Sequence, residues 1–138
     1  MQISGFRTCY CVIIDIAYAV CYNSANINRN LRGKNKMNNT KWNEIFNAFY
    51  QYECSNEPLI IRWRTKDYLT GYISEWDSIW THFGCEPREW EKIEYLQLEL
   101  TDTNYDAVIS NLKRIHVPGI ISNNIATVYG YRQDIDFI

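Results

Sequence analysis

One segment of the sequence, RWRTKDYLTGYISEWD at residues 62–77, carries enough charge to bind an anion. Its candidate ligand-binding residues are Arg62, Arg64, Lys66, Asp67 and Asp77. The planar guanidinium groups of two arginines can hold a phosphate or a carboxylate through paired N–H donors. The same charges are also typical of cross-strand ion pairs on a solvated sheet face, and we favour that interpretation. On that interpretation, Arg64 forms an ion pair with Glu75 or Asp77.

A second candidate site is an acidic segment that also contains aromatic residues. Its predicted partner-binding residues are Glu86, Glu89, Trp90, Glu91, Glu94 and Tyr95. Clustered carboxylates attract a basic protein surface, and aromatic side chains anchor many protein interfaces. A run of acidic residues is more often a solvated face without a partner. Docking of a basic protein is therefore one of two interpretations of this segment.

No catalytic motif and no metal site is predicted. His82 and Cys85 lie three residues apart, but nearness in sequence is no evidence for a Cys–His nucleophile pair. His116 has the chemistry of a general base, although a histidine at a helix end more often binds the last carbonyls of that helix. The five cysteines, at positions 9, 11, 21, 54 and 85, lack the paired spacing of a zinc site. We therefore expect no catalytic residue, no metal and no cofactor, and we expect free thiols in a reducing cytoplasm.

The charge of the chain divides at Met37. Residues 1–36 hold five basic residues and one acidic residue, whereas residues 37–138 hold nine basic and fifteen acidic residues. The resulting net charge of −6 over residues 37–138 argues against nucleic acid as a partner, because phosphate contacts need a basic surface. We therefore predict one α+β domain at 37–138, preceded by an N-terminal extension or poorly attached segment at 1–36.

The apolar run CYCVIIDIAYAVCY at residues 9–22 leaves three alternatives open for the N-terminal segment. The run has the length of a signal-peptide core, with Arg7 as its charged flank, and it is too short for a membrane span. Asp15 in its middle is costly in lipid, which argues against secretion and against membrane insertion. The second alternative is a strand or a short buried helix, and the third is an upstream extension of a reading frame that starts at Met37. The expected location is the cytoplasm, with no membrane contact.

The hydrophobic pattern predicts the elements that position these residues. Apolar residues at 42, 45, 46, 49 and 50 predict a helix capped by Asn39 or Thr40, and those at 105, 108, 109, 112 and 115 predict a second helix. Strands are predicted at 59–65, 71–77 and 92–100, and a closing hairpin is predicted to turn at Asn123 and Asn124. This order predicts an α+β fold, a single domain in which two helices pack on one face of an antiparallel sheet.

The tryptophans around the charged segment are assigned to the core. Trp63 alternates with Arg62 and Arg64, so it is expected on the buried face of its strand. Trp76 is assigned to the buried side of the returning strand, and its row with Trp80 is interpreted as core packing. Residues 78–90 are expected to form a loop with about one helical turn.

Four stretches of the sequence resemble a family of small bacterial proteins of unknown function. They are KWNEIFNAFY, WRTKDYLTGYISEWD, IEYLQLEL and the combination of KRIHVPG with VYGY, which together span Met37 to about Arg132. The resemblance implies a signature, W-R-T-K-D…G-Y-I-S-x-W-D, whose positions are Trp63, Arg64, Lys66, Asp67, Gly71, Tyr72, Trp76 and Asp77. It implies no activity. The acidic α+β build is also similar to that of bacterial immunity proteins, which neutralise secreted nuclease toxins, an analogy of class without a shared motif.

These observations lead to two functional hypotheses. The first is a non-enzymatic cytoplasmic protein-binding module of bacterial type, such as an immunity protein that binds a basic toxin through residues 86–99. The second is a small enzyme or anionic-ligand binder that uses Arg62, Arg64 and Asp77. The lack of a specific catalytic motif favours the first hypothesis.

Overall fold

The computed structural model describes residues 36–132 and 136–138, so the alternatives for the N-terminal apolar run lie outside the described residues. Helices and strands alternate in short groups along the described chain. They are α1 (Asn39–Glu53), β1 (Trp63–Asp67), α2 (Trp80–Gly84), β2 (Ile93–Glu99), α3 (Tyr105–Ile115), β3 (Gly119–Ser122) and β4 (Ile125–Tyr129), with a 3₁₀ turn at Trp90–Lys92 between α2 and β2. The predicted α+β class is confirmed.

Helix α1 forms where a polar cap precedes an apolar stripe. Asn38 is the cap, because its side-chain oxygen accepts a hydrogen bond from the backbone N of Lys41 at 2.9 Å. The predicted cap at Asn39 or Thr40 is therefore too late in the sequence. The stripe itself is confirmed, and its residues Trp42, Ile45, Phe46, Phe49 and Tyr50 are all buried.

Helix α3 carries the second predicted stripe. Its residues Val108, Ile109, Leu112 and Ile115 are buried, whereas the fifth predicted member, Tyr105, is 45% exposed. Thr103 is not the cap of this helix. Asn104 stands at the cap position instead, and its side chain accepts a hydrogen bond from the backbone N of Thr101 at 2.8 Å.

The four strands form one antiparallel sheet in the order β1-β2-β4-β3. Strand β2 is central, with Leu96 opposite Thr65 of β1 and opposite Val128 of β4. Strands β3 and β4 form a hairpin in which Asn123 and Asn124 have φ angles of 53° and 60°. A two-residue turn with positive φ at both positions matches the twist of the flanking strands. The predicted closing hairpin is therefore confirmed.

One face of this sheet forms part of the core, and the other face is partly exposed. The buried face carries Leu96, Leu98, Ala126 and Val128, which form one hydrophobic cluster with residues of α1 and α3. Because successive side chains of a strand point to opposite faces, the intervening residues lie on the other side. We call that side the open face, and its residues are Arg62, Arg64, Lys66, Tyr95, Gln97, Glu99, Thr127 and Tyr129. Arg62 is exposed, Thr127 is buried at 8% exposure, and the other six are half-buried.

The segment 62–77 folds back on itself, but only its first half is a regular strand. The return is held to β1 by isolated bridges, one between Trp63 and Asp77 and one between Lys66 and Ile73. Gly71 allows the reversal with a φ angle of 74°, a conformation that strains other residues. The predicted turn is confirmed, whereas the prediction of a regular strand at 71–77 is wrong.

The tryptophans of this region divide between core and surface. Trp63 and Trp80 are 8% and 2% exposed, and their ring centroids lie 5.8 Å apart in the core. Trp76 is only half-buried and lies beneath Arg64 at the open face, so its assignment to the buried side is wrong. The reason is the pairing of Asp77 with Trp63, which turns Asp77 inward and its neighbour Trp76 outward.

Residues 136–138 cover the start of the edge strand β3. The backbone N of Gly119 donates a hydrogen bond to the carbonyl of Asp136, and the backbone N of Ile138 donates to the carbonyl of Val117, both at 3.0 Å. These two bonds hold the described C-terminal residues beside the sheet.

The cysteines follow the sequence-based expectation only in part. Cys54 has a free thiol, whereas Cys85 is disulfide-bonded, so the expectation of free thiols is wrong for Cys85. Within residues 36–132 and 136–138, no helix is long and apolar enough to cross a bilayer.

Candidate functional site

The open face is centred on Arg64. Its Nε donates a hydrogen bond to Oε1 of Gln97 at 2.8 Å, and its guanidinium carbon lies 4.6 Å from the centroid of the Trp76 ring. Gln97 is held in turn, because its Nε2 donates to Oγ1 of Thr127 at 3.4 Å. The described residues provide no hydrogen-bond partner for the two Nη atoms of Arg64. Arg64 therefore presents a pre-positioned pair of N–H donors.

Strand register explains why these side chains meet. Arg64 is the partner of Gln97 across the β1–β2 pair, and Gln97 is the partner of Thr127 across the β2–β4 pair. The bridge between Trp63 and Asp77 brings Trp76 beside Arg64 from the other side. The Arg64 site is thus assembled from four segments that are distant in sequence.

The two neighbouring cations, Arg62 just before β1 and Lys66 within it, have acidic partners. Nη1 of Arg62 lies 3.2 Å from Oε2 of Glu99, and Nζ of Lys66 lies 2.8 Å from Oε2 of Glu94. The pKa of Lys66 is raised above its usual value, mainly by the hydrogen bond to Glu94 and next by the negative charge of the same carboxylate. Both pairs are partly exposed, so each contributes little to stability. Arg64 differs from them because it is held by an amide and a ring rather than by a carboxylate.

Aromatic rings continue the open face on the central strands. Tyr95 of β2 and Tyr129 of β4 meet edge to face with ring centroids 6.3 Å apart. A cation lies over each ring, Lys66 at 5.8 Å from Tyr95 and Arg132 at 4.6 Å from Tyr129. Trp, Tyr and Arg are the residue types that dominate the binding energy of protein interfaces.

The open face is basic although the domain is acidic. Four of the nine basic residues between positions 37 and 138 lie on it or at its border, namely Arg62, Arg64, Lys66 and Arg132. Of these four cations, Arg62 pairs with Glu99 and Lys66 pairs with Glu94. The local excess of positive charge predicts attraction for a negatively charged group, in spite of the overall charge of −2.

The structure does not bring the two predicted aspartates to Arg64. Asp67 uses Oδ1 to accept hydrogen bonds from the backbone N atoms of Leu69 and Thr70, which stabilises the turn. Asp77 accepts from the backbone N of Ile79 at 2.8 Å, and its Oδ2 lies 2.7 Å from Nδ1 of His82. The predicted convergence of Arg62, Arg64 and Asp77 on one ligand is therefore not found.

The predicted acidic docking segment is largely engaged within the chain. Oε2 of Glu86 accepts a hydrogen bond from the backbone N of Arg88 at 2.8 Å, and Glu89 pairs with Lys92 at 2.9 Å. Glu91 is 6% exposed, and Glu94 is the partner of Lys66 described above. These placements leave few free carboxylates on the segment.

The aromatic residues of the acidic segment lie in two different environments. Trp90 is 5% exposed, and its Nε1 donates to the carbonyl of Phe83 at 3.0 Å, so it is not a surface anchor in this conformation. Tyr95 is half-buried and belongs to the open face. Of the two predicted anchors, only Tyr95 lies on a candidate binding surface.

The histidines form no nucleophile pair. His82 contacts Asp77, and Cys85 is disulfide-bonded, which excludes a Cys–His thiolate at these positions.

His116 takes a left-handed conformation with a φ angle of 62° at the end of α3, and its ring stacks on Phe137. The carbonyls of Ile115 and His116 accept from Nζ of Lys41. The backbone N of His116 donates to the carbonyls of Leu112 and Lys113, whereas its ring stacks on Phe137 and does not bind them. Among the described residues, no group of three or more His, Cys, Asp or Glu side chains could hold a metal ion.

Sequence reasoning missed four contributors to the open face, which are Gln97, Thr127, Tyr129 and Arg132. Tyr95, Gln97 and Glu99 alternate with Leu96 and Leu98, and this alternation could have placed them on one face. The positions of Thr127 and Tyr129 beside them depend on the pairing of β2 with β4, for which the sequence carries no local signal.

Comparison with known proteins gives one match. The model of a family described as "Family of unknown function (DUF6678)" matches residues 26–134. This match begins eleven residues before Met37, and the division of the chain at that residue stays a prediction. No curated protein and no solved structure matches the chain.

Proposed function

The chain belongs to the DUF6678 family of unknown function, so membership supplies no activity, and we propose that it is a non-enzymatic binding module that recognises a protein partner through the open face of its sheet. The observation that carries the proposal is the Arg64 guanidinium, held by Gln97 and Trp76 with both Nη atoms without a partner among the described residues. A cation fixed in this way loses little side-chain entropy when it binds.

The partner would present a carboxylate to Arg64. An arginine fork forms two parallel hydrogen bonds with a carboxylate, which gives orientation as well as attraction. The neighbouring rings of Trp76, Tyr95 and Tyr129 provide flat apolar contacts around this polar centre. We therefore propose that an acidic segment of another protein, with Asp or Glu side chains next to apolar ones, lies across β1, β2 and β4.

The partner that this surface favours is acidic, whereas the partner predicted from the sequence is basic. A basic toxin would need exposed carboxylates, and those of residues 86–94 are mostly buried or paired with lysines and arginines. Toxin neutralisation, a bacterial origin and the cytoplasmic location stay predictions. Cys85 offers a test of the location, because disulfides persist in oxidising compartments. Alkylation of the Cys85 thiol in freshly lysed host cells supports the cytoplasm, and protection from alkylation contradicts it.

Affinity capture tests the proposal. The full chain is immobilised, host lysate treated with nuclease is passed over it at low salt, and bound proteins are identified by mass spectrometry. We expect Arg64→Ala and Arg64→Lys to lose the same specific protein, because lysine keeps the charge but lacks the planar fork. Arg114→Ala removes a cation from helix α3, away from the open face, and serves as the matched control.

Three results would contradict the proposal. The first is capture that is unchanged by Arg64→Ala, and the second is equal loss with Arg114→Ala. The third is capture that occurs from untreated lysate and is lost from nuclease-treated lysate, which would make the open face a surface for single strands. If the protein lost with both Arg64 variants is a nuclease toxin, the prediction of an immunity protein is supported as well.

A further inference from the structure

A cleft of about 230 Å³ lies on the opposite side of β1 from the open face. Its walls come from β1, the returning segment, helix α2 and the 3₁₀ turn. Residues that matter for its chemistry are Trp63, Thr65, Tyr72, Phe83, Trp90 and Lys92. Trp63 and Thr65 alternate with Arg64 along β1, and Arg64 does not line the cleft, although Lys66 of the open face does.

Trp63 is the unusual member of this wall. It is 8% exposed, and its Nε1 has no hydrogen-bond partner. Two other buried indoles are satisfied, since Nε1 of Trp80 donates to the carbonyl of Ile61 at 2.9 Å and Nε1 of Trp90 donates to the carbonyl of Phe83 at 3.0 Å. Buried polar groups are nearly always hydrogen-bonded, because an unpaired donor loses its water without compensation. The donor of Trp63 can therefore bond an acceptor from outside the described residues.

The residues around Trp63 limit the size and the chemistry of the molecule that could carry this acceptor. Phe83 and Trp90 stack with centroids 5.7 Å apart, and Phe83 meets Trp63 edge to face at 5.4 Å, so the wall near the donor is aromatic. Lys66 and Lys92 line the cleft but are paired with Glu94 and Glu89, so neither adds an unbalanced positive charge. Asp67 also lines the cleft. The volume equals that of about eight water molecules at roughly 30 Å³ each. One substituted aromatic ring fills such a space.

We propose that this cleft binds a small flat molecule, about the size of one substituted aromatic ring, whose carbonyl or carboxylate oxygen accepts a hydrogen bond from Nε1 of Trp63. This binding site is independent of the proposed protein surface at Arg64. Failure of either proposal leaves the other intact.

The test uses the full chain labelled with ¹⁵N and three probes: benzamide, benzoate and toluene. Each tryptophan gives one indole N–H resonance, and that of Trp63 is the one that disappears in Trp63→Phe. We expect benzamide or benzoate to shift this resonance saturably. Toluene, which has the ring without the acceptor, should bind about tenfold more weakly, since one hydrogen bond is worth roughly a factor of ten.

Variants sharpen the result. Trp63→Phe keeps an aromatic ring and should lower the affinity for benzamide about tenfold, whereas Trp76→Phe on the open face should leave it unchanged. If Trp63→Phe does not fold, the proposal is tested by comparing the affinities of benzamide, benzoate and toluene for the unmodified chain. The proposal is overturned if neither benzamide nor benzoate moves the Trp63 resonance saturably, or if toluene binds as tightly as they do.

Discussion

The stack of Arg64 on Trp76 can be measured as a coupling energy between the two side chains. A guanidinium over a tryptophan ring at a partly exposed site contributes about 0.5–1 kcal/mol. The hydrogen bond from Nε to Gln97 adds roughly 0.5–1.5 kcal/mol. We therefore expect Arg64→Ala to lower the free energy of unfolding by about 1–2.5 kcal/mol, more than an ordinary surface substitution.

A double-mutant cycle isolates the stack from the hydrogen bond. Urea unfolding of the unmodified chain, Arg64→Ala, Trp76→Ala and the double variant should give a coupling energy of about 0.5–1 kcal/mol. Arg62 provides the matched comparison, because its guanidinium carbon lies 5.6 Å from the same ring, against 4.6 Å for Arg64. The coupling of Arg62 with Trp76 should be smaller.

Two outcomes would refute this reasoning. A coupling energy of zero for Arg64 and Trp76 would show that the stack does not hold the guanidinium in place. A coupling of Arg62 with Trp76 as large as that of Arg64 would show that general electrostatic attraction, rather than the close stack, is being measured. Either result would remove the main support for Arg64 as a pre-positioned binding group.

Three further outcomes are expected. Trp80→Ala should cost about 3–5 kcal/mol in urea unfolding because Trp80 is buried, and an equal cost for Trp76→Ala would contradict the surface position of Trp76. Gly84→Ala should cost about 1–3 kcal/mol because the added methyl overlaps the Phe46 ring, and Phe46→Leu should relieve part of it. Burial raises the pKa of Tyr131 to about 12 from its usual value of 10.0, so the unfolded chain loses this proton first. Stability should therefore fall between pH 10 and 12, and Tyr131→Phe should reduce that fall, whereas an unchanged pH profile would place the hydroxyl in water.

Local patterns in the sequence were sufficient where one segment determines its own structure. The stripes of α1 and α3 depend on the helical repeat, and the turn at Asn123 and Asn124 depends on residues that tolerate positive φ. These elements were predicted because each needs only a few neighbouring residues. The same is true of the turn at Gly71.

Only part of the Arg64 site could be predicted from the sequence, because pairing between distant segments assembles it. Arg64 itself was named as a candidate, but its expected partner was Glu75 or Asp77, whereas the structure places it on Gln97, 33 positions away. The error for Trp76 has the same origin. A shift of one residue in the pairing of the return with β1 exchanges the inward and outward sides, and no nearby residue in the sequence fixes that register.

The contacts at the two borders of the sheet bear on how copies of the chain behave when crowded. A strand at the edge of a sheet offers backbone N–H and C=O groups to any extended chain, and pairing of this kind begins fibre growth. Asp136 and Ile138 bond to the backbone of Gly119 and Val117 at one border, and the return at Ile73 and Asp77 covers β1 at the other. These two segments of the chain cover backbone groups at both borders of the sheet and so hinder polymerisation through strand pairing. The open face is not involved in these contacts.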